Sequence, residues 1–203
     1  MKAAGLVLTV VGFASMAHAQ TPRFEVRLGV AGVFNKTSTS SDGTRTLMPT
    51  DSLEILGSVR WRFNRMHSVE LNIGHTRNSQ IYTVASDTFR ITASVAEYSG
   101  AYVFSPFATK KLEPFVFGGA GGLRFSPHST LIDGSTASFG AVKQTSLAFL
   151  YGGGTDYRLW RAFGLRLEYR GLIYKNPDFS ISRLFTGSRG HMAEPSVGIV
   201  AKF

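Results

Sequence analysis

The chain has no cysteine among its 203 residues. Neither a disulfide framework nor a thiolate-bound metal can therefore hold it together. Beyond residue 19 it also lacks any run of eighteen or more apolar residues, which excludes a transmembrane helix in that part of the chain. Charged residues make up only 17% of the sequence, which is low for an ordinary soluble domain. What remains is a chain whose structure must come from short, mixed-polarity segments.

The N-terminus has the three parts of a secretory signal peptide. Met1 and Lys2 give a short basic start, residues 6–16 form an apolar run, and Ala17-His18-Ala19 is a small-residue cleavage site. A single membrane anchor is the alternative, but the apolar run is short for a bilayer. We therefore expect a signal peptide over residues 1–19 and one exported domain over residues 20–203.

Segments of alternating polarity recur through the exported part. In residues 24–34, Phe24, Val26 and Leu28 share one face, while Glu25 and Arg27 share the other. Comparable segments cover residues 53–63, 68–75, 89–104, 115–125, 147–157, 163–173 and 191–203. Side chains alternate between the two faces of a strand, and these lengths suit tilted transmembrane strands. Segment 89–104 changes phase halfway along, which predicts a β-bulge.

The connections between these segments alternate in length. Long polar stretches at 35–51, 78–88, 126–144 and 174–190 are separated by short turns at 64–66, 105–112 and 158–162. Barrels of the outer-membrane type have short periplasmic turns and long extracellular loops. The sequence therefore predicts an all-β fold, an eight-stranded antiparallel up-and-down transmembrane β-barrel that segment 191–203 closes against segment 24–34.

Alternation alone does not say which face points outward, since a soluble lipocalin-like barrel would keep its apolar face inside. The apolar face carries many large aromatic and aliphatic side chains, including Phe115, Phe117, Leu123 and Phe125. A barrel of eight strands has little interior room for them, so we expect this face to meet lipid. Aromatic residues near the short turns would then form an interfacial girdle: Trp61, Phe63, Tyr102, Phe104, Phe115, Tyr157 and Phe203.

The other face carries small residues and charges of both signs, which suits a lumen filled by ion pairs, because an unpaired buried charge is costly. Lys202 lies on the same face of the last segment. We expect the lumen ion-pair network to contain Glu25, Arg27, Glu54, Arg60, Arg62, Glu70, Glu97, Arg124, Asp156, Arg166, Glu168 and Arg170.

Several segments resemble the small bacterial outer-membrane β-barrels, namely the OmpA transmembrane domain, the OmpX/Ail group and opacity-porin-like proteins. Tyr151-Gly-Gly-Gly-Thr-Asp-Tyr-Arg-Leu and Gly164-Leu-Arg-Leu-Glu-Tyr-Arg look like their penultimate hairpin. Pro114-Phe-Val-Phe-Gly-Gly-Ala-Gly resembles their fifth strand. The resemblance covers nearly the whole exported domain. It implies architecture more than activity, because these barrels have unrelated functions.

The end of the chain resembles the C-terminal assembly signal of this family. Its members are carried by periplasmic chaperones and recognised by the outer-membrane insertion machinery, so the resemblance implies these partners and an outer-membrane location. The residues that carry the signal here are Val197, Ile199, Ala201 and Phe203. We expect the protein to be a monomer.

No catalytic, cofactor or metal-binding motif appears in the sequence. The four histidines of the exported domain, His67, His75, His128 and His191, do not have metal-ligand spacing. His75 or His128 with Ser129 and Asp133 would be the only candidates for a lipid-modifying enzyme. The glycines at 118–122 lie within a strand, where close packing explains them better than phosphate binding. We expect no enzymatic activity, cofactor or metal.

Two functional readings remain open beside the enzyme. The first is a structural or adhesin-like barrel that acts through its extracellular loops. The second is a narrow porin-like channel for small solutes. Basic loop residues would in either case lie near lipopolysaccharide phosphates, or be merely solvated: Lys36, Arg45, Lys143, Lys175, Arg183 and Arg189. Scattered basic residues give no indication of nucleic-acid binding.

Overall fold

A computed structural model describes residues 23–137 and 140–203. The predicted signal peptide therefore lies outside the described residues. No helix in the described part is long and apolar enough to cross a membrane. The strands are β1 Phe24–Asn35, β2 Ser38–Thr39, β3 Arg45–Pro49, β4 Ser52–Arg62, β5 His67–Val84, β6 Asp87–Phe104, β7 Leu112–Ile132, β8 Ser135–Thr136, β9 Gln144–Arg158, β10 Phe163–Lys175 and β11 Arg189–Lys202. A single 3₁₀ turn, Ser182–Leu184, lies between β10 and β11.

Eight of these strands form a closed antiparallel barrel, in the order β1, β4, β5, β6, β7, β9, β10 and β11. β11 pairs with β1 in a register that runs from Glu25 opposite Lys202 to Asn35 opposite Met192. Backbone hydrogen bonds join Phe24 and Phe203 in both directions, at 3.3 and 2.8 Å. Closure gives each of the eight barrel strands a partner on both sides, which a membrane barrel requires. The predicted fold is confirmed.

The two ends of the barrel differ. One end of the barrel is where β1 begins and β11 ends, and we call it the turn end. Its short connections are residues 63–66, 105–111 and 159–162. The opposite end, the loop end, carries the long connections. Here β5 and β6 continue as a paired hairpin up to Val84 opposite Asp87, and β3 pairs with β5 at the edge of that hairpin.

Two of the predicted loops are wrong for this reason. The stretch predicted as a loop at 78–88 belongs almost entirely to β5 and β6, and β7 continues to Ile132 into the loop predicted at 126–144. Polar side chains in these stretches suggested irregular structure. They lie instead on strands that extend beyond the apolar belt, where both faces of the backbone can be polar.

The predicted facing of β7 is also wrong. Phe115, Phe117, Leu123 and Phe125 are buried in the lumen, while Val116 between the first two is 55% exposed. The reason lies on the neighbouring strand, where Gly154 and Gly152 stand opposite Phe115 and Phe117. A β-carbon on these glycines would come within 2.8 Å of the Phe115 ring and 2.6 Å of the Phe117 ring. Small residues on β9 thus make room for large ones on β7, and Phe115 is not part of an outer aromatic girdle.

The change of phase expected within β6 does not occur. Phe89, Ile91, Ala93 and Val95 are buried on the same inward face as Glu97. The inward face simply changes from polar near the turn end to apolar near the loop end. A register irregularity does exist between Thr92 and Ala93, but the extra residue is in β7, where Thr92 pairs with Ser129 and Ala93 with Pro127.

Candidate functional site

The lumen holds the candidate site, and its half nearest the turn end is filled by charged side chains. Alternate residues of β1, β4, β5, β7, β9, β10 and β11 point inward and carry these charges. We call this set the turn-end ion layer: Glu25, Arg60, Arg62, Glu70, Glu113, Asp156, Arg166 and Lys202. It contains four acidic and four basic residues, and all lie within chains of ion pairs.

Arg166 is the most connected residue of this layer. Its Nε lies 2.6 Å from Asp156 Oδ1, its Nη1 2.8 Å from Glu70 Oε2, and its Nη2 3.0 Å from Glu25 Oε2. The side chain is fully buried. Guanidinium groups suit such sites because they present several donors in a fixed fork.

An aromatic ring completes the packing of the turn-end ion layer. The guanidinium carbons of Arg60 and Arg166 lie 4.3 and 4.8 Å from the centre of the Phe115 ring. Attraction between a cation and the face of a ring is stronger where water is excluded. The inward aromatic on β7 is therefore part of the charged layer, which explains why a large apolar residue is accommodated there.

A second set of charges lies nearer the middle of the barrel. We call it the middle ion layer: Arg27, Glu54, Glu97, Glu168, Arg170 and Glu194. Arg27 Nη1 lies 2.8 Å from Glu168 Oε1, and Arg170 pairs with both Glu97 and Glu194. Among the described residues, Glu54 has no basic partner within ion-pair distance, although it is only 3% exposed.

The middle ion layer is therefore not balanced. It contains four acidic and two basic residues, and carboxylate oxygens of Glu54, Glu97 and Glu194 all lie within 4.8 Å of one another. Like charges this close disfavour ionisation of all three carboxyl groups at once. Glu97 and Glu194 each pair with Arg170, so Glu54 is the residue whose negative charge is least compensated.

The half of the lumen nearest the loop end is filled mainly by apolar side chains, together with buried polar residues such as Asn78 and Gln80. Phe125 on β7 and Tyr82 on β5 pack there against Phe179, which belongs to the connection between β10 and β11. Phe179 and Leu184 of that connection are fully buried. The segment is held in place by Gln144, whose Oε1 accepts the backbone N–H groups of Asp178 and Phe179 at 2.9 and 2.7 Å. We call residues 176–188 the plug loop.

Most residues expected in the lumen do point into it. Glu25, Arg27, Glu54, Arg60, Arg62, Glu70, Glu97, Asp156, Arg166, Glu168 and Arg170 are all buried. Arg124 is a wrong assignment, because the facing of β7 is inverted and its side chain lies exposed on the outer wall. Glu113 and Glu194 were missed. Glu194 shares the inward set of the last segment with Lys202, and Glu113 lies just outside the boundary predicted for its strand.

The histidines and serine considered for an enzyme are not assembled as a triad. His128 Nε2 lies 2.7 Å from Ser94 Oγ, and Asp133 accepts the backbone N–H of Thr88 at 2.8 Å. Within the described ranges, no hydrogen bond joins His75 or His128 to Ser129 or Asp133. The residues expected to form an assembly signal lie on the outer face of β11, where Val197 and Ile199 are 40% and 61% exposed.

Solved structures of outer-membrane barrels are similar to this chain. Neisserial surface protein A is 19% identical, with a TM-score of 0.55 over 91% of this chain and 100% of that one. OprG from Pseudomonas aeruginosa is 17% identical, with a TM-score of 0.59 over 91% and 97%. Ail of Yersinia pestis, in complex with the heparin analogue sucrose octasulfate, is 14% identical, with a TM-score of 0.53 over 91% and 100%. Identities this low show the shared fold alone.

No curated protein sequence matches the chain. A family model described as the outer membrane protein beta-barrel domain matches residues 5–188. This match spans most of the sequence, and the closed barrel of eight strands agrees with it. The chain belongs to the outer membrane protein beta-barrel domain family.

Proposed function

We propose that this protein is an integral protein of the bacterial outer membrane that acts at its extracellular surface, in an adhesin-like or structural role, and does not conduct solutes. The observation that carries the proposal is that the lumen is filled along its length: by the two ion layers in the half nearest the turn end, and by the plug loop in the half nearest the loop end. In this family the turn end faces the periplasm and the loop end faces outward. The barrel closes within one chain, which supports a monomer.

The charged levels support a closed lumen because their members hold one another across its width. Arg166 on β10 reaches Glu70 on β5, and Arg170 on β10 reaches Glu97 on β6. A solute would have to separate such pairs in a region of low dielectric, where each uncompensated charge is costly. The two ion layers therefore act against passage.

The plug loop supports closure at the extracellular mouth. Phe179 is buried among aromatic rings, and Tyr82 Oη donates a hydrogen bond to the carbonyl of Pro177 at 2.5 Å. Asn176 Nδ2 donates to Ser38 Oγ at 2.6 Å, which ties the plug loop to the first extracellular connection. Opening this mouth would require the loss of apolar burial and of these hydrogen bonds together.

The extracellular surface is ordered in a way that suits binding. The tip of the first loop is folded by Asp42, which accepts hydrogen bonds from Ser40 and Thr44, and these bonds lower the pKa of its carboxyl to about 2. Phe185 of the plug loop is 43% exposed, with Lys175 Nζ 5.5 Å from its ring centre. An exposed aromatic beside a cation on an ordered loop is a typical binding anchor.

A conductance measurement tests the closed lumen. Reconstituted into a planar bilayer, the protein should give no stable step of conductance, and Arg166→Ala should leave the recording silent because the plug loop remains. A stable open level in the unmodified protein would favour the alternative, a narrow channel whose ion layers set selectivity. In that case Arg60→Ala and Arg166→Ala should change its conductance.

An adhesion assay tests the surface role. Bacteria that display the protein should bind host cells or glycan-coated surfaces, and Phe185→Ser with Lys175→Gln should reduce the bound fraction. Phe107→Ser with Lys110→Gln is the matched control, because Phe107 is 63% exposed in a connection at the turn end. Equal loss in both variants, or no loss in the first, would contradict a role for this part of the surface.

A further inference from the structure

The outer wall of the barrel carries a basic patch on β5, β6 and β7. We call it the wall patch: His75, Arg77, Ser94, Arg124, Ser126 and His128. Arg77 stands opposite Ser94, and Ser94 opposite Ser126. One step nearer the turn end, His75 stands opposite Ala96, and Ala96 opposite Arg124. These cross-strand pairs bring the polar side chains onto one area of the outer surface.

The wall patch borders apolar parts of the outer surface on both sides. Ile55 on β4 stands directly opposite His75 and is 64% exposed. On the other side, Leu147 on β9 is 68% exposed and pairs with Gly122, two residues from Arg124. On β4 the wall is therefore apolar at the level of His75. On β9 it becomes apolar two residues nearer the turn end than Arg124, which itself stands opposite the exposed Thr145. If the wall patch lay in water beyond the membrane, the strands on its two sides would not need to expose large apolar side chains.

The height of the wall patch places it near the outer leaflet headgroups. Val69, opposite Tyr102, marks the start of the outward apolar residues on β5 near the turn end. Arg77 is eight residues further along the strand, about 26 Å at a rise of about 3.3 Å per residue. At a strand tilt of roughly 40°, this is about 20 Å along the barrel axis. The apolar band of such barrels is about 25 Å tall.

Among the described residues, no acidic side chain pairs with the arginines of the wall patch. All thirteen acidic residues of the chain lie elsewhere, eight in the two ion layers and five in the extracellular loops and turns. Within residues 23–137 and 140–203, no ion pair involves Arg77 or Arg124. Loop cations differ in this respect, since Arg45 pairs with Asp42 at 3.7 Å and Arg183 with Asp87 at 2.7 Å.

The spacing of the two arginines suits one phosphate group between them. Arg77 is on β5 and Arg124 on β7, so two inter-strand spacings, about 10 Å, separate their strands. Both side chains are long enough to turn toward a common ligand on the wall. Guanidinium groups bind phosphate through paired, charge-assisted hydrogen bonds. Ser94 lies on β6, between the strands of the two arginines, and its Oγ lies 2.7 Å from His128 Nε2. Ser126 stands opposite Ser94 on β7, and its hydroxyl would supply a further donor.

We propose that the wall patch binds the phosphorylated glucosamine headgroup of lipid A, the membrane anchor of lipopolysaccharide. One of its phosphates would lie between Arg77 and Arg124, and its acyl chains on the apolar flanks formed by Ile55 and Leu147. A phosphate ligand with several acyl chains fits a basic patch between two lipid-facing surfaces better than a water-soluble anion does. The proposal is independent of what the extracellular loops bind and of whether the lumen conducts.

Native mass spectrometry of the protein released from detergent micelles tests this directly. Bisphosphorylated lipid A, dephosphorylated lipid A and phosphatidylglycerol would be titrated separately. The protein should retain bisphosphorylated lipid A, and Arg77→Gln with Arg124→Gln should weaken this binding by about tenfold or more, as expected for the loss of charge-assisted hydrogen bonds. The control, Arg65→Gln with Arg161→Gln, removes the same charge from exposed turn-end residues and should bind as the unmodified protein does.

Three results would overturn the assignment. The first is equal retention of lipid A by the wall-patch variant and the control. The second is equal binding of dephosphorylated lipid A, which would remove the role of phosphate. The third is equal retention of phosphatidylglycerol, which would show general attraction of anionic lipid. A heat-modifiable shift in gel mobility, measured for every variant, would establish that each barrel is folded.

Discussion

Arg166 on β10 pairs with Glu70 on β5 across the lumen, with 2.8 Å between Nη1 and Oε2. The two residues are 96 positions apart in sequence. Because the same guanidinium also holds Asp156 and Glu25, one side chain links four strands of the turn-end ion layer. Such a residue matters for stability because its removal would leave its acidic partners buried without a compensating charge.

The first prediction concerns the removal of Arg166. Arg166→Leu leaves Glu70, Asp156 and Glu25 buried with less positive charge, so the free energy of unfolding should fall by about 3–5 kcal/mol, as for other broken buried ion pairs. Urea titration followed by gel mobility and tryptophan fluorescence would measure this. Arg124→Leu is the control and should cost little, because that side chain is on the outer wall. Equal losses for both would contradict the weight given to the ion layer.

The second prediction separates two glutamates of the lumen. Glu25 pairs with Arg60, Arg62, Arg166 and Lys202, whereas Glu54 has no such partner among the described residues. Glu54→Gln should leave the urea midpoint at pH 7 unchanged or raise it, because it removes uncompensated charge. Glu25→Gln should lower the free energy of unfolding by about 2–4 kcal/mol.

The same pair of variants measured at several pH values would show whether charge is the cause. If Glu54→Gln destabilised the barrel as much as Glu25→Gln, the imbalance of the middle ion layer would be of no consequence. The side-chain volume is nearly the same in each substitution, so a difference in stability reports on charge and hydrogen bonding rather than on packing.

The closed barrel and most of its lumen charges were predictable from the sequence because a period of two fixes the facing of each strand. Glu25 and Lys202 come from opposite ends of the chain, yet the alternation of each segment placed both inward, and the structure pairs their backbones. Such local patterns need no knowledge of the neighbouring strand, since one face must meet lipid and the other the lumen.

The facing of β7 was not predictable in this way because both of its faces are compatible with lipid. Val116 and Ala120 on one face are as apolar as Phe115 and Phe117 on the other. The decision lies on β9, where Gly152 and Gly154 leave space in the lumen, and on Arg60, which lies against the Phe115 ring. That information is long-range. Arg124 was consequently assigned to the lumen although it lies on the wall.

The third prediction tests this complementarity. A β-carbon at Gly154 would lie 2.8 Å from the Phe115 ring and too close to the carbonyl oxygen of Leu167, so Gly154→Ala must displace backbone. Overpacking of this kind typically costs about 1–3 kcal/mol, and we expect a loss in that range by urea titration. Gly118→Ala is the matched control, because its nearest neighbour would be 4.0 Å away. Similar losses in both would argue that glycine flexibility, rather than lumen space, is what matters.

The fourth prediction concerns the role of Phe203 as an assembly signal. Its backbone exchanges two hydrogen bonds with Phe24, and Phe203→Ala keeps both while removing the aromatic ring. If the ring is read by the insertion machinery, the variant should accumulate in the periplasm of living cells. It should nevertheless refold in detergent with nearly the same yield and urea midpoint as the unmodified protein, because the ring is only partly buried and both backbone hydrogen bonds remain.

Phe163→Ala supplies the control that separates recognition from stability. Phe163 lies on β10 opposite Ala201 and is 50% exposed, so it is a second aromatic ring at the turn end, more exposed than the partly buried ring of Phe203. Insertion in cells should therefore remain normal for Phe163→Ala and fall for Phe203→Ala. Normal insertion of Phe203→Ala would refute the signal, and a matching loss in detergent refolding would assign the effect to stability instead.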